Sequence, residues 1–194
     1  MNMTRTLTGG IAAGIILFLI GYLFWGTPLS EIAYGKVSDA QNASVQAALA
    51  QQLALNGTGT YQIPDPGSPE GTTLYGQGPV ALVHFNTGGF AVMDGARLAV
   101  GFVLALVTGL LMSFGLAATS GGAARPFGDQ ARLVVCLALA FTLWAHLAQP
   151  VFQNFGWVYW VYSFVAYAVG FSLAGLAIAR WFLPRATSES APPR

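Results

Sequence analysis

Polar residues that could form a binding site lie near the end of the third of four long apolar segments. His146, Gln149 and Gln153 have the i, i+3, i+7 spacing that places side chains on one face of a helix. Pro150 lies among them and has no N–H, so the carbonyl of His146 loses its helical hydrogen bond. With Trp157, these residues could hold a lipid headgroup, a quinone or a partner side chain. Hydration at a membrane surface is the alternative interpretation.

A second histidine, His84, lies in the long segment between the first two apolar segments, together with Tyr61. We interpret His84 and His146 each as a hydrogen-bonded structural residue. The alternative is a pair that binds haem or a metal, if this segment folds over the helices. Tyr61 is a further possible contact with a ligand or a partner.

Catalytic and metal-binding signatures are absent from the sequence. The single cysteine, Cys136, lies in an apolar segment and can form no intramolecular disulfide. The sequence has no phosphate-binding glycine loop, no Ser/His/Asp arrangement and no His, Cys and Asp set with metal-ligand spacing. We therefore expect a protein that is not an enzyme, with no catalytic residue, no cofactor and no metal. The formal net charge of +1 also argues against a nucleic-acid partner.

Composition predicts an integral membrane protein. Of 194 residues, 55% are hydrophobic and only 8% are charged, whereas about a quarter are charged in soluble domains. Residues 7–25, 96–118, 132–151 and 157–183 form apolar segments near the length of about 20 residues that a membrane-spanning helix needs. The predicted fold class is membrane all-α, a four-transmembrane-helix bundle with a small α+β extracytoplasmic domain between helices 1 and 2.

The predicted domains follow from these segments. They are an N-terminal transmembrane helix (1–25), an extracytoplasmic domain (26–95), a three-transmembrane-helix region (96–183) and a disordered cytoplasmic tail (184–194). A cleaved signal peptide is the alternative for the first segment, but no small-x-small cleavage site follows it. Cationic residues favour both termini in the cytoplasm. Arg5, Arg125, Arg132, Arg180, Arg185 and Arg194 lie on that side, against Lys36 and Arg97 on the other.

The domain between the first two spans has its own predicted elements. Ser38 and Gln41 have the spacing of a capping box, and Asn56-Gly57 is a helix stop, so we expect a helix over residues 39–55. The β-rich segments 80–85 and 90–93 flank Asn-Thr-Gly-Gly and predict a hairpin over residues 80–93. Prolines and glycines predict an irregular surface loop between the helix and the hairpin.

Small residues recur at every fourth position of the second span. They form a ridge that lets another helix approach closely: Gly101, Ala105, Gly109, Ser113 and Ala117. We expect this helix at the centre of the bundle, with Leu106 facing lipid. The first span, with Gly10 and Gly14, and the fourth, with Ala166, Gly170 and Ala174, are the expected neighbours.

Several short motifs resemble a bacterial protein family. They are Trp25 with Pro28 after the first span, the G-x-Y-x-x-P-x-P element at residues 59–66, Gly78-Pro79-Val80, and Ala174-Gly175-Leu176 in the last span. In these motifs the chain resembles four-span membrane proteins with a domain of unknown function. The resemblance implies an N-terminal span, an outer loop and a three-helix C-terminal half, and it implies no activity. The loop plan is also similar to that of claudins, but the paired loop cysteines of that family are absent.

These observations predict a bacterial cell inner-membrane protein of an accessory or interaction type that uses its outer domain. The alternative is a binder or carrier of an apolar small molecule, a lipid or a quinone, at the outer end of the bundle near His146. Membrane lipids are expected partners, together with another protein or a second copy of the chain.

Overall fold

The computed structural model describes residues 2–120 and 124–184 and shows a mostly helical chain with one small sheet. In chain order the elements are α1 Met3–Trp25, α2 Asp39–Leu53, β1 Gly59–Ile63, α3 Pro69–Gln77, β2 Ala81–Phe85, α4 Gly95–Ser120, α5 Phe127–Gln153 and α6 Trp157–Ala177. The helices α1, α4, α5 and α6, the last extended by a π-helical turn at Ile178–Phe182, are long and apolar enough to cross a membrane. This confirms the prediction of four long apolar helices.

The chain forms two compact units. The first contains Met1–Gly35 and the described residues from Gly95 onward, and the second is Lys36–Asp94. Residues 26–35, which we expected in the outer domain, thus group with the long helices. Within them a short 3-10 helix, Pro28–Ile32, begins at a Thr27 cap and packs against α1 and α6. The predicted tail lies outside the described residues except for Pro184.

In the helical unit, α1 and α4 are in contact at their backbones. A Cβ atom added to Gly109 would overlap the Gly10 carbonyl and the Gly14 nitrogen. A Cβ on Gly10 would come to 2.7 Å from the Leu110 Cα. Only glycine permits this approach, which replaces the hydrophobic attraction that helices lack in lipid.

A buried hydrogen bond and a small core complete this contact. Ser113 is 1% exposed, and its hydroxyl donates to the Thr6 carbonyl over 2.7 Å. Because both groups are shielded from water, the bond is a specific link between α4 and the first turns of α1. The surrounding core consists of Ala13, Ala117, Ala174, Ile178 and Leu183.

The structure places α1, rather than α4, at the centre of the bundle. Helix α1 packs along both α4 and α6, α6 packs along α5, and α4 has only slight contact with α6. The small face of α6 lies toward α1, with Ile20 and Leu17 beside Gly170. The prediction of a central α4 is therefore wrong, because only one face of that helix carries the small residues and α1 covers it.

The ridge on α4 is in contact over only part of its length. Gly109, Ser113 and Ala117 are buried and Ala105 is partly buried, and no atom lies within 4 Å of a Cβ added to Gly101. Leu106 does not face lipid as expected, since its Cα lies 2.6 Å from the Cβ position of Gly14. The 40° drift of a four-residue repeat on a helix explains why the ridge leaves α1 toward one end.

The unit Lys36–Asp94 begins with the helix that its capping signals predict. The Ser38 backbone N–H donates to Gln41 Oε1 over 2.9 Å, and the Gln41 N–H donates to Ser38 Oγ over 3.3 Å. After α2 a 3-10 turn, Ala54–Asn56, leads to Gly57, whose φ of 86° ends the helical chain path.

The predicted hairpin over residues 80–93 is wrong. Strand β2 pairs with β1 in an antiparallel sheet, with Gly59 opposite Phe85 and Ile63 opposite Ala81, and residues 90–93 are not a strand. The run Thr-Tyr-Gln-Ile in β1 has good β-formers on both faces, and cross-strand side-chain pairs stabilise a sheet. One such pair joins Thr60 Oγ1 and His84 Nδ1 over 3.0 Å.

The segment between the strands is not irregular throughout, as we had expected. Helix α3 begins at a Ser68 cap, whose hydroxyl accepts from the Gly71 N–H over 3.0 Å, and Pro69 takes the first helical position. Proline fits there because the first N–H of a helix has no partner in any case. The helix ends at Gly78, which has a φ of 69°.

The contact at Gly109 predicts that the effect of a glycine-to-leucine substitution on stability depends strongly on its position along α4. Gly109→Leu should destabilise the protein by about 1–3 kcal/mol or more, because the side chain would separate two touching backbones. Gly101→Leu, on the same ridge but in open space, should leave the free energy of unfolding within about 0.5 kcal/mol of the wild type. Thermal melting in detergent measures both. Equal melting of the two variants would contradict the α1–α4 contact.

Candidate functional site

His146 lies on α5 and packs against α6. Its ring stacks on Tyr167 with a centroid distance of 4.7 Å and an angle of 10°. Its Nδ1 atom is buried and has no hydrogen-bond partner among the described residues. An unpaired buried nitrogen is a candidate for binding a ligand or water.

The other residues of the predicted polar cluster lie beyond His146 toward the end of α5. Gln149 is half-buried, and Gln153 and Trp157 are exposed on either side of the turn at residues 154–156. Asn154 makes this turn with a left-handed φ of 53°. In the part of the chain that is described, no hydrogen bond joins His146, Gln149 and Gln153, so their role as a ligand site stays a prediction.

Tyr61 and His84 belong to the other unit and have partners within it. The Tyr61 hydroxyl donates to the Gly57 carbonyl over 2.8 Å, and its ring lies 6.5 Å from that of Phe85. His84 pairs with Thr60 across the sheet. Both side chains therefore take part in contacts within Lys36–Asp94, and the role of Tyr61 as a ligand or partner contact stays a prediction. The described residues contain no cluster of three or more His, Cys, Asp or Glu side chains that could hold a metal ion.

An aromatic cluster that we did not anticipate joins the C-terminal end of α1 to the start of α6. The Trp25 ring lies 5.2 Å from that of Tyr162, 5.8 Å from Tyr159 and 6.5 Å from Tyr34. The Tyr162 hydroxyl donates to the Phe24 carbonyl over 2.5 Å. This bond satisfies a carbonyl in the last turn of α1, where helical partners are missing.

Tyr34 lies in this cluster and outside the four long helices. Burial, followed by the neighbouring phenols of Tyr159 and Tyr162, raises the pKa of Tyr34 above its usual value. The Tyr34 phenol is therefore neutral at physiological pH. It contributes an apolar ring and a polar hydroxyl, the combination that suits a membrane surface.

An apolar cavity lies between α4 and α5, at the end of the bundle that holds the N-terminus of α1. Although these helices are consecutive, they do not pack extensively on each other. A cleft of about 410 Å³ separates them. Its lining includes Met112, Gly115 and Leu116 from α4, Leu137, Ala138 and Phe141 from α5, and Phe171 from α6. Phe141 is 70% exposed, so the cleft opens sideways.

A smaller cavity of about 130 Å³, with a more polar lining, adjoins this cleft and shares Leu116, Thr119 and Leu133 with it. Arg125, Asp129 and Gln130 line it. Gln130 is 5% exposed, and its Nε2 donates to the Pro184 carbonyl over 3.2 Å. Because that carbonyl can only accept, the orientation of the amide is determined. The Gln130 Oε1 atom is left buried without a donor among the described residues, at a cost of about 1–3 kcal/mol.

The sequence of α5 contains a signal for this cleft. Gln130, Val134, Ala138 and Thr142 recur at every fourth position of α5, and all four are buried. This is the same spacing as the ridge on α4, with a glutamine at its start. A glutamine in an otherwise apolar or small-residue stripe indicates a buried polar group that needs a partner.

A further cavity of about 310 Å³ lies among α1, α4 and α6, near the Trp25 end of the bundle. Gly21, Gly101 and Gly170 are among its lining residues, with Trp25 and Tyr167. Here the ridge on α4 has diverged from α1, so the small side chains leave space between the helices. The cavity is a consequence of tight packing at one end of the bundle only.

The hydrogen bond from the Tyr162 hydroxyl to the Phe24 carbonyl makes a measurable contribution to stability. Tyr162→Phe should lower the free energy of unfolding by about 0.5–1.5 kcal/mol, because the Phe24 carbonyl loses its donor while the ring contacts remain. Tyr22→Phe is the matched control on α1, since the exposed Tyr22 hydroxyl has no partner in the described structure. Melting in detergent compares them, and an unchanged Tyr162→Phe would show that the bond does not hold the two helices.

Comparison with known proteins identifies no relative of this chain, because no protein-family model, no curated protein and no solved structure matches it.

Proposed function

We propose that this chain is a bacterial inner-membrane protein with both termini in the cytoplasm and residues 26–95 outside. Four helices that are long and apolar enough to span support an even number of crossings. The distribution of cationic residues supports the orientation in the membrane. Arg125 lies in the α4–α5 connection and Arg132 near the start of α5, on the proposed cytoplasmic side. Lys36 and Arg97 lie at the opposite ends of the spans.

The function that the geometry supports best is that of an accessory protein without catalytic activity, which assembles with another protein through its outer unit. The observation that carries this proposal is the poor core of Lys36–Asp94. Within these residues Leu53 is the only buried hydrophobic side chain. A unit of this size cannot offset the loss of chain entropy with so little burial.

Exposed apolar side chains of this unit indicate where a partner would bind. Leu55 is 99% exposed and Val92 is 100% exposed. Val45, Leu74 and Met93 are each more than half exposed. We infer that a partner covers these side chains, since burial of apolar surface drives protein association.

Binding of an apolar small molecule at the outer end of the bundle is the second candidate. The buried, unpaired Nδ1 of His146 is the observation that favours it. Tyr167 covers one face of the His146 ring. Gln153 and Trp157 are exposed and do not enclose a pocket around His146.

Cysteine labelling tests the proposed topology. In a Cys136→Ala background, Gln52→Cys should react with a membrane-impermeant maleimide from outside the inner membrane. Ala124→Cys, in the α4–α5 connection, should react only after the membrane is opened. Labelling of both positions from outside would refute the topology.

Photo-crosslinking tests the proposed assembly. A photoreactive residue at Leu55 or Val92, in intact membranes, should form crosslinks to another polypeptide, because burial of these side chains drives the association. The same residue at the exposed polar positions Gln46 and Gln52 of α2 serves as the control and should crosslink much less.

A double variant separates binding from folding. Leu55→Ser with Val92→Ser should leave the free energy of unfolding within about 0.5 kcal/mol of the wild type, because both side chains are exposed. It should abolish crosslinks from a photoreactive residue at Val45. The proposal fails if the wild-type protein gives only crosslinks within one chain and migrates as a monomer in native gels.

A further inference from the structure

The cleft between α4 and α5 combines an apolar body with a polar end. Its body is lined by residues such as Leu116, Leu137 and Phe141, and its volume of about 410 Å³ lies in the range of about 300–1,000 Å³ found for ligand pockets. The exposure of Phe141 shows that the cleft opens to the side of the helices. In a membrane, that opening faces the acyl chains.

The polar end has a specific arrangement of charges and hydrogen-bonding groups. Arg125 supplies a cation, Asp129 supplies a carboxylate, and the buried Gln130 Oε1 is an acceptor without a donor. Helix α5 also begins here at Phe127 without a side-chain cap. The Asp129 and Gln130 N–H groups donate to the Pro126 carbonyl, and the positive end of the helix dipole favours an anion at this position. The site therefore offers one region for a phosphate and two acceptors for an N–H donor.

We propose that this cleft binds a phospholipid whose headgroup carries both a phosphate and a primary ammonium, as phosphatidylethanolamine does. One acyl chain lies along the α4–α5 cleft. The phosphate contacts Arg125 and the start of α5, and the ammonium donates to Asp129 and to Gln130 Oε1. This site is separate from the outer unit and does not depend on its proposed assembly.

The chemistry of the polar end distinguishes this headgroup from others. A choline headgroup has the same charges but no N–H donor, so Gln130 Oε1 stays unpaired. A glycerol headgroup offers hydroxyl donors, but its net negative charge is repelled by Asp129. A transmembrane helix of a partner would fill the apolar body and would leave the buried acceptor without a donor, since lipid-facing helix surfaces are apolar.

Native mass spectrometry of the delipidated full-length protein tests the proposal. Phosphatidylethanolamine and phosphatidylcholine with identical acyl chains are added separately. The ethanolamine lipid should be retained about tenfold more, because its N–H groups donate to Asp129 and to Gln130 Oε1 and choline has no N–H donor for either acceptor. Soluble phosphoethanolamine should not be retained, since the acyl chain supplies most of the apolar burial. Retention of phosphoethanolamine alone would instead indicate a site for a free phosphate compound and would overturn the lipid assignment.

Two substitutions on α4 locate the site. Gly115→Leu should reduce the retained lipid at least about tenfold, because its side chain enters the cleft. It should not lower the melting temperature of the lipid-free protein, since no atom lies within 4 Å of the added Cβ. Gly101→Leu, equally open but outside this cleft, should retain the lipid, and so should His146→Ala near the opposite end of α5.

Asp129→Asn tests the headgroup. It should bring the ratio of ethanolamine to choline lipid toward one without removing lipid binding, because the ammonium loses its carboxylate partner and the acyl chain keeps its cleft. Equal retention of the two lipids by the wild type would overturn the headgroup assignment. Undiminished retention by Gly115→Leu, or a wild-type dimer that Gly115→Leu converts to a monomer, would overturn the cleft as a lipid site.

Discussion

Where α1 crosses α4, the backbone of Gly109 touches the backbones of Gly10 and Gly14. Between helices in lipid there is no hydrophobic attraction, so association depends on close van der Waals contact and on hydrogen bonds. Each atom pair contributes only about 0.1–0.2 kcal/mol, and two backbones in contact bring many such pairs together. The Ser113 hydroxyl adds a buried bond to Thr6 at the same end of the bundle.

This contact determines the arrangement of the other helices. Because α4 uses its small face for α1, the remaining helices pack on α1 or on each other, with α6 on α1 and α5 on α6. Gly175 of α6 allows Val134 of α5 to approach closely. Helix α5 thus follows α4 in the chain but is attached through α6, and the cleft between α4 and α5 results from this order of packing.

The two ends of the bundle are stabilised differently. The end with Thr6 has a core of small aliphatic residues around Ala13 and Ile178. The end with Trp25 has an aromatic cluster, where rings cover more area and their hydroxyls reach polar partners such as the Phe24 carbonyl. Two buried side-chain atoms that lack partners in the described residues, Gln130 Oε1 and His146 Nδ1, lie toward opposite ends of α5. Each is therefore a place where an outside molecule could complete the structure.

Local signals in the sequence were sufficient for the four apolar helices, for the capping box at Ser38 and for the helix stop at Gly57, because each depends on residues close together in the chain. The same signals could not identify the partner of β2, since pairing with β1 depends on contacts across the intervening helix α3. They showed small residues on α4 but could not place α1 at the centre, because a repeat of four residues does not specify which helix covers it. The cleft and the unpaired Gln130 acceptor result from the packing of four helices, in which α4 packs on α1 and α5 packs on α6. This packing order is a property of the folded bundle and not of any one segment.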